Sequence, residues 1–143
     1  MRRTVLTCGD LGGPCPRCDG AISLHVAETV EGDRLLWIVT SRCVDCGHVD
    51  EMRDRPGVFD FDSIVRQTLI DRVGLTRLRA DPAANRGLRL RALAVFRKRG
   101  ATVAETADAC AALTGDGLAG TPAEMAILAG QLAAEGIQVT LQP

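Results

Sequence analysis

Aromatic side chains are scarce in this 143-residue chain: Trp37 and three phenylalanines are all it has, and tyrosine is missing. A protein that stacks nucleobases on aromatic platforms needs more than that, so readers of single strands by stacking are set aside. Lysine is nearly absent as well, since 16 of the 17 basic residues are arginine and one is Lys98. That bias, beside abundant alanine and glycine, points to a GC-rich bacterial source and carries no mechanism. No apolar run reaches the roughly 18 residues of a membrane-spanning helix, so no membrane partner is expected. The opening stretch MRRTVLTCGDLGG lacks the apolar segment of about 7–15 residues found in a secretory leader, which makes the cytoplasm the expected address. Signatures of catalysis are missing too. There is no GxSxG, phosphate loop, HExxH or glycine-rich dinucleotide turn, and no histidine sits near a nucleophile pattern, so an enzyme is not expected. Gly115, Gly117 and Gly120 have neither the lysine nor the strand context of a phosphate cradle and read as a flexible loop.

What is present suffices for a folded core, with 46% hydrophobic and 24% charged residues, in one ordinary domain or two very small ones. The net charge of −1 conceals three blocks. Residues 1–62 hold seven basic and eleven acidic side chains, residues 63–99 hold ten and two, and residues 100–143 hold none and five. A basic centre thus lies between two acidic flanks. Either its arginines are paired internally with acidic neighbours, or they form a surface that meets a partner. The candidate partner-binding residues are Arg77, Arg79, Arg86, Arg89, Arg97 and Lys98.

The cysteines carry the sharpest signal. Cys15-Pro16-Arg17-Cys18 and Cys43-Val44-Asp45-Cys46 are two CxxC knuckles separated by 24 residues. A tight knuckle turns two thiolates toward one point, and two knuckles supply the four soft ligands of a closed tetrahedral zinc site. Gly13, Gly20 and Gly47 stand where such turns need unusual backbone angles. Disulfides and a redox pair are the competing readings. The missing export signal speaks against the first, and two facing pairs favour metal over the second. Four thiolates leave no open position for water or substrate, so the zinc is expected to be structural. Cys8, seven residues before Cys15, either ends a first strand, Arg3 to Thr7, beside the site or replaces one of the ligands. His48 is a neighbour or alternative ligand, His25 a strand surface residue, and Cys110 a small hydrophobe on a helix.

Between the knuckles, Ala21–Ala27 and Arg34–Thr40 read as strands joined by Glu31-Gly32-Asp33. Knuckle, hairpin and knuckle, with Gly47-His48 following, resemble a zinc ribbon across residues 8–52. Ribbons of this kind occur in transcription factors, ribosomal proteins and enzymes, so the resemblance implies a metal and not a function. Residues 53–62 read as a linker around Pro56-Gly57. A helix capped by Asp62 then buries Phe61, Ile64, Val65, Leu69 and Val73 and stops at Gly74.

Beyond it, Leu75–Arg79 reads as a strand and residues 86–99 as a basic helix. Thr102-Val103-Ala104-Glu105 and Thr121-Pro122-Ala123-Glu124 are capping boxes opening two more helices. Their expected inner faces are Val103, Ala107, Cys110 and Leu113, then Met125, Leu128, Ala129 and Leu132. Ile137–Leu141 alternates as a terminal strand. Arg97 to Gly100, the TVAETADAC helix and TPAEMAILAGQLAAEGIQVTLQP together resemble the C-terminal domain of the bacterial ribosomal stalk protein, and the related fold of the N-degron adaptor of the Clp protease. In the stalk family the last stretch is a helix ending in Ala-Gly or Glu-Gly followed by a short alternating strand. Two departures narrow what this implies. The stalk's glycine-leucine turn is Arg99-Gly100-Ala101-Thr102-Val103 here, and the adaptor's acidic pocket is matched by Asp81 alone.

The expected fold is therefore α+β: an antiparallel zinc ribbon over residues 1–55, a linker and connecting helix over 56–74, and a small α/β sandwich over 75–143 in the order strand-helix-helix-helix-strand. The expected function is a non-enzymatic, zinc-binding protein-interaction module, an adaptor, regulator or immunity-type protein using a basic helical surface. The alternative is a nucleic-acid- or ribosome-associated protein that meets phosphate through the arginines of 66–99.

Overall fold

The computed structural model describes residues 4–8, 14–56 and 64–143. They fall into two compact units, 1–73 and 74–143. Both units are mixed α and β, with an antiparallel sheet in each.

In the first unit, strands β1 (Thr4–Cys8), β2 (Ile22–Glu31), β3 (Arg34–Cys43) and β4 (Val49–Asp54) form one sheet in sequence order, followed by helix α1 (Ile64–Val73). The β2–β3 hairpin closes over two residues, because Glu31 faces Arg34. Gly32 takes φ +65° there, which a first central position allows only cheaply to glycine and which matches the twist of the strands. Val26 faces Val39 and Glu28 faces Trp37 across the hairpin. Directly opposed residues share a face, and on this one Val26 and Trp37 pack with Leu69 of α1, with Leu24, Val39 and Val65 around them. The buried Glu28 carboxylate accepts a 2.7 Å hydrogen bond from the Trp37 indole N–H, which offsets part of the cost of burying a charge.

The helix expected as a connection thus packs into the core of the first unit through Leu69. Val73, expected on its inner face, is exposed. Phe61 and the Asp62 cap lie outside the described residues. Strand β4 has no counterpart in the sequence reading, which starts the linker at residue 53. Every residue of β4 is exposed, and four of its six side chains are charged, so it carries no apolar alternation to read. Its backbone pairing with β3 alone makes it a strand.

In the second unit, β5 (Thr76–Ala80) is central and antiparallel to β6 (Leu118–Gly120) and β7 (Val139–Gln142). Helices α2 (Arg89–Lys98), α3 (Val103–Thr114) and α4 (Pro122–Ala134) complete it. The expected strand-helix-helix-helix-strand order therefore gains a strand, because the glycine stretch read as a loop contains β6. Three residues are too few to show a period. Gly120 also has a packing reason: a Cβ there would stand 2.6 Å from Met125 Cε and 2.9 Å from Glu124 Oε1.

Both capping boxes form. Thr102 Oγ1 accepts from the Glu105 amide, and Thr121 Oγ1 from the Glu124 amide, with each glutamate reaching back to the threonine N–H. α2 and α4 end in Schellman motifs at Gly100 and Gly136. Ala101 N–H donates to the Phe96 carbonyl and Ile137 N–H to that of Leu132, while the glycine amides reach back to Arg97 and Ala133. Met125, Leu128 and Leu132 are fully buried, as their spacing predicts. α3 differs: Thr106, Cys110 and Leu113 form its buried stripe, while Val103 is 73% exposed and Ala107, also expected inside, is exposed as well. The stripe starts one turn later because Val103 is the first residue after the cap. The basic helix is also shorter than expected, since residues 82–87 are turns. Asn85 stitches that turn to the chain entering β7, accepting from the Gln138 amide at 2.8 Å and donating to the Gln138 carbonyl at 3.0 Å.

Candidate metal centre

The two CxxC segments fold into near-copies of one turn. In the first, Cys15 N–H donates to the Gly20 carbonyl and Asp19 N–H to the Cys15 carbonyl; in the second, Cys43 N–H donates to the His48 carbonyl and Gly47 N–H to the Cys43 carbonyl. The fifth residue of each turn takes the left-handed conformation, Asp19 at φ +60° and Gly47 at φ +74°. At the first turn the role expected of Gly13 and Gly20 falls to Asp19, which tolerates the region through its short polar side chain; Gly13 lies outside the described residues. Gly20 is needed for space instead, because a Cβ there would collide with the Asp45 carboxylate of the other knuckle. Val44 N–H donates to the Ala21 carbonyl at 3.0 Å and ties the second turn to the chain leaving the first. Cys43 closes β3 opposite Ile22, so the hairpin register itself brings the knuckles together.

All four sulfurs lie within 4.8 Å of one another. Cys15 Sγ is 3.7 Å from Cys46 Sγ, and Cys18 Sγ is 3.5 Å from Cys43 Sγ. A tetrahedron with metal–sulfur bonds of about 2.3 Å has edges of about 3.8 Å, so the cluster can hold one ion. Each turn also aims an amide at a sulfur: Arg17 N–H donates to Cys15 Sγ at 3.4 Å and Cys46 N–H to Cys43 Sγ at 3.5 Å. Such donors stabilise thiolate over thiol. The amides of Cys46 and then Asp45, with the Cys18 and Cys46 thiols, bring the Cys43 thiol down to about 7 against the pull of desolvation. At Cys18 the Gly20 amide acts in the same direction. The Cys43 and Cys46 thiols, desolvation and the Cys15 thiol together outweigh it and push Cys18 up to about 12. Metal ligation requires the thiolate form at each sulfur, so a bound cation releases protons from this cluster.

Cys15 and Cys43 are buried while Cys18 and Cys46 are exposed, placing the site at the end of the sheet with one side toward solvent. His48 does not join the sulfurs. Its carbonyl holds the second turn, and its ring lies 3.0 Å from the Asp50 carboxylate. His25 is half-buried on β2. Cys8 ends β1 as expected.

Arg77, Arg79, Arg86, Arg89, Arg97 and Lys98 are all exposed. None of them makes an ion pair with a described residue, whereas His48–Asp50, Arg53–Glu51 and Arg55–Glu31 pair in the first unit. Arg77 and Arg79 alternate with the buried Leu78 and Ala80. They share one face of the sheet with Ala119, Thr140 and Gln142, their register partners. Arg89 opens α2 and Arg97 and Lys98 close it, roughly 12 Å apart at 1.5 Å per residue. The last two meet a helix C-terminus, where cations are favourable, whereas Arg89 faces the unfavourable N-terminal end. The six residues are thus one exposed set spread over the second unit, not one cluster.

No protein-family model matches the chain, no curated protein matches it, and no solved structure matches it. No described helix is long and apolar enough to cross a membrane.

Proposed function

We propose that this protein is a non-enzymatic interaction module in which a zinc ribbon is built into the first unit and the exposed cations of the second meet an acidic surface on a partner protein. The observation that carries the reading is that Arg77, Arg79, Arg86, Arg89, Arg97 and Lys98 are exposed and without ion pairs among the described residues. Unpaired cations of this kind steer association and set its salt dependence. Zinc is supported by the donor set. Four thiolates at tetrahedral spacing favour a soft, closed-shell ion and fill its coordination sphere, which gives a structural role. Among the described residues, this cluster is the one group of three or more Cys, His, Asp or Glu side chains close enough to hold an ion. The stalk-like reading of the second unit is supported by the helix that ends at Ala134 and Gly136 before the short strand β7.

A protein partner is favoured over nucleic acid because the chain is acidic outside residues 63–99 and the one aromatic in the second unit, Phe96, is buried. The test is capture by the immobilised full chain at low salt, with nuclease treatment, beside an Arg77→Glu/Arg79→Glu variant. The reading expects a stoichiometric protein that survives nuclease and is lost with the charge reversal. A purified chain carrying nucleic acid by its absorbance ratio, with capture abolished by nuclease, would overturn it in favour of phosphate contacts.

A further inference from the structure

A second candidate site lies wholly within the second unit. A half-open cavity of about 280 Å³ sits among Ala80, Leu88, Ala92, Ala107, Ala111 and Ile137. Apolar cavities of about 150 Å³ accept a molecule the size of benzene, so this one has room for an apolar body roughly twice that size. Its polar side chains are largely committed. Asn85 is spent on Gln138 and on the Asp81 carbonyl, and Thr114 Oγ1 donates to the Cys110 carbonyl at 3.1 Å. Arg89 is the exception. It lines the cavity, is exposed, and has no ion pair among the described residues. The helix it opens has no acidic residue in its first turn and no side-chain cap at Leu88, so a cation there works against the dipole of α2, and no described carboxylate pairs with it. The Cys110 thiol at the inner wall is held above its ordinary pKa by desolvation, which Arg89 only partly opposes.

An apolar wall with one guanidinium at its edge that no described carboxylate pairs selects a ligand with an apolar body and a single anionic head. We infer that this cavity binds a small apolar carboxylic acid, its hydrocarbon between α2, α3 and the end of the sheet and its carboxylate on Arg89. The inference shares Arg89 with the partner-protein reading but does not rest on it, since it needs neither the metal nor the sheet-face arginines Arg77 and Arg79.

The experiment is titration of the zinc-loaded, isotope-labelled full chain with octanoate, followed by amide resonances. Saturable shifts are expected at Ala107, Cys110, Ala111 and Ile137, with half-saturation on the order of 1 mM for so small a ligand. Octan-1-ol tests the head group and acetate the body. The alcohol should bind about tenfold more weakly, the usual size of a charge-assisted contact, and acetate should leave these resonances still. Arg89→Gln should weaken octanoate by about the same factor. Ala111→Phe, which fills the cavity from an exposed position and keeps Arg89, should abolish the shifts with the remaining spectrum intact. Equal binding of acid and alcohol, an unaltered Arg89→Gln titration, shifts mapping elsewhere, or no saturable shift at 20-fold the expected half-saturation would each overturn the inference.

Discussion

Removing the metal should unfold the first unit and leave the helices of the second in place. The cysteine cluster sits at one end of the β2–β3 hairpin, where Cys43 faces Ile22. Trp37 lies six positions along the same strand, roughly 20 Å away at about 3.3 Å per residue. It is buried, with its indole on Glu28 and its ring against Val26 and Leu69. A purely local loosening of the knuckles would not reach that ring. Structural zinc in small modules contributes an apparent 10–16 kcal/mol or so near neutral pH, against about 5–15 kcal/mol for the whole stability of an ordinary domain. Loss of a contribution that large exceeds what the small core around Trp37 retains, so the collapse should be cooperative. Purified protein should carry one zinc per chain. Chelation at neutral pH should shift Trp37 emission to the red, and Cys43→Ser should do the same without chelator. Acid acts in the same direction, because protons compete with the ion for thiolates and affinity falls as pH falls. Far-ultraviolet circular dichroism should lose no more helix than α1 supplies, 10 residues against 35 in α2, α3 and α4 together. Zinc well below one per chain would refute the site. Zinc released with Trp37 emission unmoved would refute the coupling of metal to fold.

Three further outcomes follow from packing and backbone. Leu69→Ala should cost the first unit about 2–5 kcal/mol, read from thermal unfolding followed at Trp37; a near-neutral result would remove α1 from the core, since Leu69 is 2% exposed. Gly136→Ala should cost the second unit about 1–2 kcal/mol through backbone strain, because φ is +80° while the nearest atom to an added Cβ, Arg91 Nη1, is an ordinary contact at 3.8 Å. Above pH 9 the unfolded chain ionises Cys110 while the folded chain still holds it as a thiol, because desolvation raises its pKa above 9.0. The unfolded state then binds fewer protons, and stability of the second unit should fall as pH rises past 9. Cys110→Ala should flatten that alkaline decline in a denaturant titration.

How much of this was legible in the sequence depended on whether a residue's role was local. The knuckles were, because a CxxC turn closes within six residues and its chemistry is written in the ligands themselves. The capping boxes at Thr102 and Thr121 were, because both partners of each hydrogen bond lie three residues apart. Strand β4 was not: its side chains are exposed and charged, and only its backbone pairing with β3 makes it a strand. β6 was hidden for a related reason, since Gly120 stands there to clear Met125 and Glu124, a constraint that a sequence shows only as another loop glycine. The same division runs through the candidate sites. Arginine content announced a basic segment, yet whether those charges were spent could be answered only by where their neighbours lie. The answer differs along one helix: Arg97 and Lys98 sit at its favourable C-terminal end, while Arg89 stands at the N-terminal end beside an apolar cavity, paired with no described carboxylate. No count of charges distinguishes the two positions, because the difference lies in which helix end and which neighbours each cation meets.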